Sequence, residues 1–222
     1  MSEKYQPPAD ENRDLAMTIT RGLAGAIPGI GGILQEIIQT PKEERVHQWM
    51  DEIAHGLRKL EEKVGDFDPR KLKDNPAFVS AFLHASQMAI RNHQQSKREA
   101  LRNAVLNVAA GTAPDEDQQM MFLSWIDTFT QWHLALLRLF KNPAAVVDTR
   151  GQMTGGLDDV LEKAFPALRG QREFYDQVWR DLRNRGLVNT DGLHSMMTGN
   201  GLVAKRTTEL ADEFVKFIAS PV

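Results

Sequence analysis

The chain has 222 residues, 41% of them apolar, with 27 basic and 30 acidic side chains and no cysteine. That length supports one or two self-sufficient cores, and the missing thiols exclude disulfide staples, cysteine zinc sites and thiol catalysis while fitting a reducing compartment. A formal net charge of −3 supplies no bulk field that would gather nucleic acid or anionic lipid, so any such partner has to be met by a local patch.

In chain order, residues 1–14 carry acids and prolines and no apolar run, so a flexible leader is expected there and not a secretory signal. A helical bundle is expected over 15–147, opening with an apolar hairpin at 19–39. The run from Gly22 to Ile38 is too apolar for a loop and too rich in glycine for a good helix, since each interior glycine costs about 1 kcal/mol relative to alanine. Small residues let backbones approach closely, and Pro28-Gly29 supplies a turn between two short helices. Two readings follow: a hairpin tucked against the bundle, or one that leaves it to enter a membrane or a protein partner. In both, the contact residues are Leu23, Ile27, Ile30, Ile33, Leu34, Ile37 and Ile38, whose burial is worth roughly 25 cal/mol per Å². No stretch reaches eighteen clean apolar residues, which argues against a constitutive transmembrane helix.

Thr40-Pro41-Lys42-Glu43 combines a capping hydroxyl, proline at the first helical position and a capping-box glutamate, and predicts a helix start. Val46, Trp49, Met50, Ile53, Leu57, Leu60 and Val64 form its apolar stripe, and Gly65 ends it. Asn75-Pro76 opens a second helix to about Asn92. Ser96-Lys97-Arg98-Glu99 reads as another capping box, for a helix stopping at Gly111. Pro114 with Asp115, Glu116 and Asp117 precedes a run, Met120 to Phe140, that is apolar nearly all round and is expected as one central helix, in a monomer core or a dimer seam. Asn142-Pro143 ends it.

Glycine, threonine and glutamine from Asp148 to Gly156 suggest a boundary, followed by a C-terminal module over 157–222. Its expected order is a short helix from Leu157 to Phe165, a helix from Gln171 to Arg185, a turn-rich hairpin to Arg206 and a last helix from Thr207 to Ile218. Arg172, Arg180, Arg183, Arg185, Lys205 and Arg206 are its candidate nucleic-acid contacts. Glu173, Asp176, Asp181 and Asp191 are interleaved with them, which weakens that reading.

Two Glu-x-x-His pairs, Glu44 with His47 and Glu52 with His55, have the spacing of metal ligands on one helical face. A di-metal bundle draws such pairs from different helices, whereas these share one, so no metal or other cofactor is expected. His84, His93, His133 and His194 have no Ser or Asp at a spacing that suggests a triad, and His133 reads as a satisfied core histidine. No phosphate-cradling glycine motif follows a strand, and an enzyme is not expected.

The order Gly25-Ala26-Ile27-Pro28-Gly29-Ile30-Gly31-Gly32, a charged helix, Asn75-Pro76-Ala77-Phe78 and Lys97-Arg98-x-Ala100-x-x-Asn103 resembles bacterial helical proteins of the abortive-infection alpha type. Gly186-Leu187-Val188 through Thr207-Thr208-Glu209-Leu210 and Glu213-Phe214 is similar to a winged-helix ending. The resemblance implies a role in phage defence or stress response through membrane damage and carries over no catalytic residue. The expectation is a mostly all-α protein: a helical bundle with a small winged-helix-like C-terminal part containing a short β-hairpin. Its expected location is cytoplasmic or peripheral to the inner membrane, its partner a protein or membrane surface, with nucleic acid as the alternative and a homo-oligomer left open.

Overall fold

The computed structural model describes residues 30–146 and 154–222, with side chains from residue 44 onward. The leader, Leu23 and Ile27 lie outside the described residues. The chain divides into two units after Asp51, and what is described of the first is the opening of helix α1 (Ile30–Lys63). The expected helix start at Thr40-Pro41 is corrected here, because α1 begins at Ile30 and runs through Pro41. An interior proline removes one N–H bond and crowds one carbonyl, but the bonds on both sides persist and helix growth is cooperative. The second arm of the expected hairpin is therefore continuous with the charged helix.

In the unit from Glu52 to Val222, α1 contributes Ile53, Gly56 and Leu60 to the core. Met50 and Val64, expected in the buried stripe, are 42% and 40% exposed. A Cβ on Gly56 would stand 2.5 Å from Cδ1 of Leu106, so the missing side chain sets how closely α1 and the helix bearing Leu106 approach.

Helix α2 (Pro76–Arg91) starts as read from the sequence: Asn75 Oδ1 accepts the Phe78 N–H at 3.2 Å, with proline at the first position. Helix α3 (Gln95–Ala109) does not use the Ser96 capping box. Its cap position is Gln94, two residues earlier, the Ser96 hydroxyl is buried without a partner, and Lys97 turns inward to donate to the Asp127 carbonyl at 2.7 Å. The helix stops before Gly111, whose φ of 68° suits a residue without Cβ.

The run from Met120 to Phe140 is two helices, α4 (Glu116–Thr128) and α5 (Gln131–Lys141), where one was expected. Phe129 is extended, and Thr130 caps α5: its hydroxyl accepts from Trp132 N–H at 3.3 Å, while its own N–H donates to His133 Nδ1 at 3.1 Å. This is a capping box with histidine in the glutamate position. The helix buried on nearly every side is α3, where Ala100 and Ala104 admit neighbours closely and Asn103 and Asn107 are buried with the apolar residues.

The rest comprises strand β1 (Thr154–Gly155), α6 (Leu157–Ala164), α7 (Arg172–Asn184), strand β2 (Met197–Thr198), the single turn α8 (Gly199–Leu202) and α9 (Glu209–Phe217). The fold is mostly α, and among the described residues its one sheet is the antiparallel pair β1 and β2, with Thr154 opposite Thr198 and Gly155 opposite Met197. The strand pair expected in the C-terminal part thus draws its first arm from just before residue 157. A lone bridge, Val188 to Thr207, closes the segment between α7 and α9.

Phe122 and Trp125 of α4 and Phe129 just after it meet Phe214 of α9 with ring centroids 5.3, 5.6 and 5.9 Å apart, at steep angles that place ring edges against faces. Phe140 of α5 meets Trp179 of α7 at 4.9 Å. Asn107 Nδ2 lies 2.9 Å from the carbonyls of Phe217 and Ala219, and Asn103 Nδ2 lies 3.0 Å from that of Ile218. Two buried side-chain amides of α3 thereby satisfy the carbonyls that α9 leaves open at its C-terminal end. Most apolar residues of α4 and α5 are buried within the single chain, while Met120 and Met121 are exposed.

Candidate functional site

A cluster of paired titratable side chains lies where the segment after α7 folds back onto α6 and α7. Asp158 is the second residue of α6 and Asp176 the fifth of α7; His194 comes from the returning segment. His194 Nδ1 is 2.7 Å from Asp158 Oδ2, and Nε2 is 2.8 Å from Asp176 Oδ1 and 3.0 Å from its Oδ2. A neutral imidazole carries one N–H, so a ring with a carboxylate at each nitrogen is satisfied in full only as imidazolium. Partial burial works against the charged ring, but the hydrogen bonds to Asp158 and Asp176 outweigh it and raise the pKa above the ordinary histidine value.

The surroundings reinforce the arrangement. A Cβ on Gly156 would collide with Asp158 Oδ1, so the glycine leaves room for that carboxylate. Arg172 Nε lies 3.7 Å from Asp176. Tyr175 O–H donates to Glu162 at 3.1 Å, and burial followed by that carboxylate pushes the phenol up to about 12. Trp179 Nε1–H donates to the Thr190 carbonyl at 3.1 Å, Arg183 pairs with Asp191 at 2.9 Å, and Asp158 N–H donates to the Leu193 carbonyl at 3.2 Å.

The six cations read from the sequence follow α7 and the stretch after α8, and each has an intramolecular partner. Arg172 faces Asp176 and Arg183 faces Asp191, as above. Arg180 Nη1 donates to Gln177 at 2.6 Å. The Arg185 guanidinium stands over the rings of Phe129 and Trp125, 5.1 and 6.0 Å from their centroids. Lys205 pairs with Asp212, and Arg206 Nη2 donates to the Gly201 carbonyl at 2.5 Å.

Of the apolar contact set, Ile30, Ile33, Leu34, Ile37 and Ile38 fall in the opening turns of α1. Among the described residues no helix is long and apolar enough to cross a membrane, and no group of three or more His, Asp or Glu side chains is placed to hold a metal. Glu52, one member of the Glu-x-x-His pairs, accepts from Arg98 at 2.5 Å. His133 is a core histidine, as read: it is 5% exposed, stacked on Phe129 at 4.7 Å and bonded to Thr130.

Sequence reasoning missed the His194 trio because its members come from three elements, and no spacing rule connects residues 158, 176 and 194. The chain matches no protein-family model, and comparison with curated proteins and with solved structures finds no match.

Proposed function

We propose that this chain is a non-enzymatic interaction protein, acting in bacterial defence or stress response by engaging a membrane surface or a protein partner through the segment Gly22 to Ile38. The observation that carries the reading is the segment itself: five glycines and a proline among apolar residues, its part from Ile30 onward continuous with the charged helix α1. Interfacial binding needs apolar area beside a strongly polar face, and α1 supplies the second in Glu43 to Glu62. Leu23, Ile27, Ile30, Ile33, Leu34, Ile37 and Ile38 are the contact residues, with the protein cytoplasmic or peripheral to the inner membrane. Val79 and Leu83, exposed one turn apart on α2, and Met120 and Met121 on α4 add apolar footing for a protein partner.

The internal pairing of the C-terminal cations supports this reading over docking on nucleic acid, because phosphates would compete with Asp176, Asp191 and Asp212 for charges already engaged. The test is flotation and dye leakage with anionic liposomes, comparing the full chain, a version lacking residues 1–39, and Ile30→Asp with Ile33→Asp. Binding by the full chain and its loss in both variants is the expected result. A full chain that ignores lipid and pulls down no protein, yet binds duplex DNA with a steep salt dependence lost in Arg180→Ala with Arg183→Ala, would overturn it.

A further inference from the structure

We propose that His194 is a proton-operated latch: its doubly paired imidazolium holds the segment 191–196 against α6 and α7, and loss of one proton to solvent frees that segment from one of them. The inference is independent of the partner engagement proposed above.

The geometry leaves little freedom. With the proton present, Nδ1–H donates to Asp158 and Nε2–H donates to Asp176, and the ring bridges two helices through two charge-assisted hydrogen bonds. Without it, one nitrogen presents a lone pair to a carboxylate less than 3 Å away, so one of the two bridges becomes a repulsion. The groups facing the ring favour the charge. From α6 these are Asp158 and, beyond Tyr175, Glu162; from α7 they are Asp176 and the Tyr175 ring, 6.2 Å away between centroids, with Arg172 on the far side of Asp176.

The site is open enough to exchange its proton, with the side chains of His194, Asp158 and Asp176 each between 28% and 29% exposed. The segment is anchored at its base and exposed beyond the latch. Leu193 is buried, and the bonds from Trp179 to Thr190 and from Arg183 to Asp191 anchor its start, whereas Met196, two residues past the latch, is 72% exposed. Because the folded state binds this proton more tightly than the unfolded chain, the stabilisation is complete below the ordinary histidine value of 6.5 and is lost as pH rises through the raised folded value.

The experiment is NMR on the full chain, following the His194 ring signals with pH together with hydrogen-exchange protection of the 191–196 amides, expressed relative to His194→Gln. His194 should titrate above 6.5, and protection of 191–196 should fall about tenfold or more as pH rises from 6.5 through that midpoint, the size expected of one charge-assisted hydrogen bond. His194→Gln should show the low protection at every pH, and Asp176→Asn should move the His194 midpoint down. Should a variant fail to fold, a fall in protection confined to the interval from 6.5 to just above the His194 midpoint in the native chain decides alone. A His194 midpoint at or below 6.5, or protection of 191–196 that does not follow it, would overturn the latch.

Discussion

Replacing Asn107 with alanine tests the buried junction between α3 and α9 most directly. The side chain is 4% exposed, its Nδ2 lies 2.9 Å from the Phe217 and Ala219 carbonyls, and its Oδ1 accepts from the Thr112 hydroxyl at 2.8 Å. Alanine leaves the Phe217 carbonyl buried without that donor, at about 1–3 kcal/mol. The Ala219 carbonyl belongs to an exposed residue and can recover water, so it adds a fraction of that, and the vacated volume adds a further part. The sum is a loss of about 2–4 kcal/mol, which urea unfolding reads as a midpoint lower by about 1 M. Asn107→Leu separates the causes: it fills the volume and supplies no donor, so it should remain destabilised by about 2 kcal/mol. A leucine variant as stable as the native chain would refute the reasoning and make the site one of packing alone.

Lys97 tests linkage at the alkaline end. Burial lowers its pKa below 10.5 against the pull of Asp127, so the unfolded chain holds more protons in the window beneath that value and the lysine's contribution rises with pH. Urea unfolding of Lys97→Met and the native chain should therefore show the difference shifting toward the native chain between about pH 8 and about pH 10; a constant difference would contradict the burial. His133 has the opposite sign to His194. Burial lowers its pKa despite Asp181, so its contribution is present above 6.5 and lost as pH falls below it. His133→Gln, which keeps an acceptor for Thr130 N–H, should narrow its stability gap to the native chain on acidification from about pH 7 to about pH 5; a gap that widens would count against the assignment. Thr130→Val removes the α5 cap and should cost about 1 kcal/mol in thermal or urea unfolding, an unchanged midpoint meaning that the break after Phe129 holds without it. Gly56→Val should destabilise by about 1–3 kcal/mol through collision with Leu106, and a neutral result would show that α1 and α3 can separate freely.

What could be read from the sequence was chiefly where helices begin and end. Asn75-Pro76, the acids from Asp115 and Gly111 each satisfy a local backbone requirement, and each does so in the structure. The break at Phe129 was hidden because its cap is Thr-x-x-His, where a glutamate or glutamine is the usual signal. Pro41 erred in the other direction, a strong local start signal overridden by helix growth from Ile30. The central position was expected of Met120 to Phe140, but α3 is the helix buried on nearly every side, because Lys97, Asn103 and Asn107 find their acceptors near α4 and α9 only in the folded chain. The same holds for the site: the cations of α7 and the acids interleaved with them were visible, but which acid each cation meets, and the joining of Asp158, Asp176 and His194 across 18 and 36 residues, exist only in three dimensions.

The bond from Asn107 to the Phe217 carbonyl also sets a timetable, because its two ends are 110 residues apart in the chain. At a synthesis rate of about 5–20 residues per second, the amides of α3 and the aromatic face of α4 wait on the order of ten seconds for α9 to emerge from the ribosome. During that interval Phe122, Trp125 and Phe129 form an open apolar surface with no native cover. The nascent chain thus keeps that surface open until α9 has been made, and a ribosome stalled before Phe214 would leave a sticky product in place of a smaller folded domain.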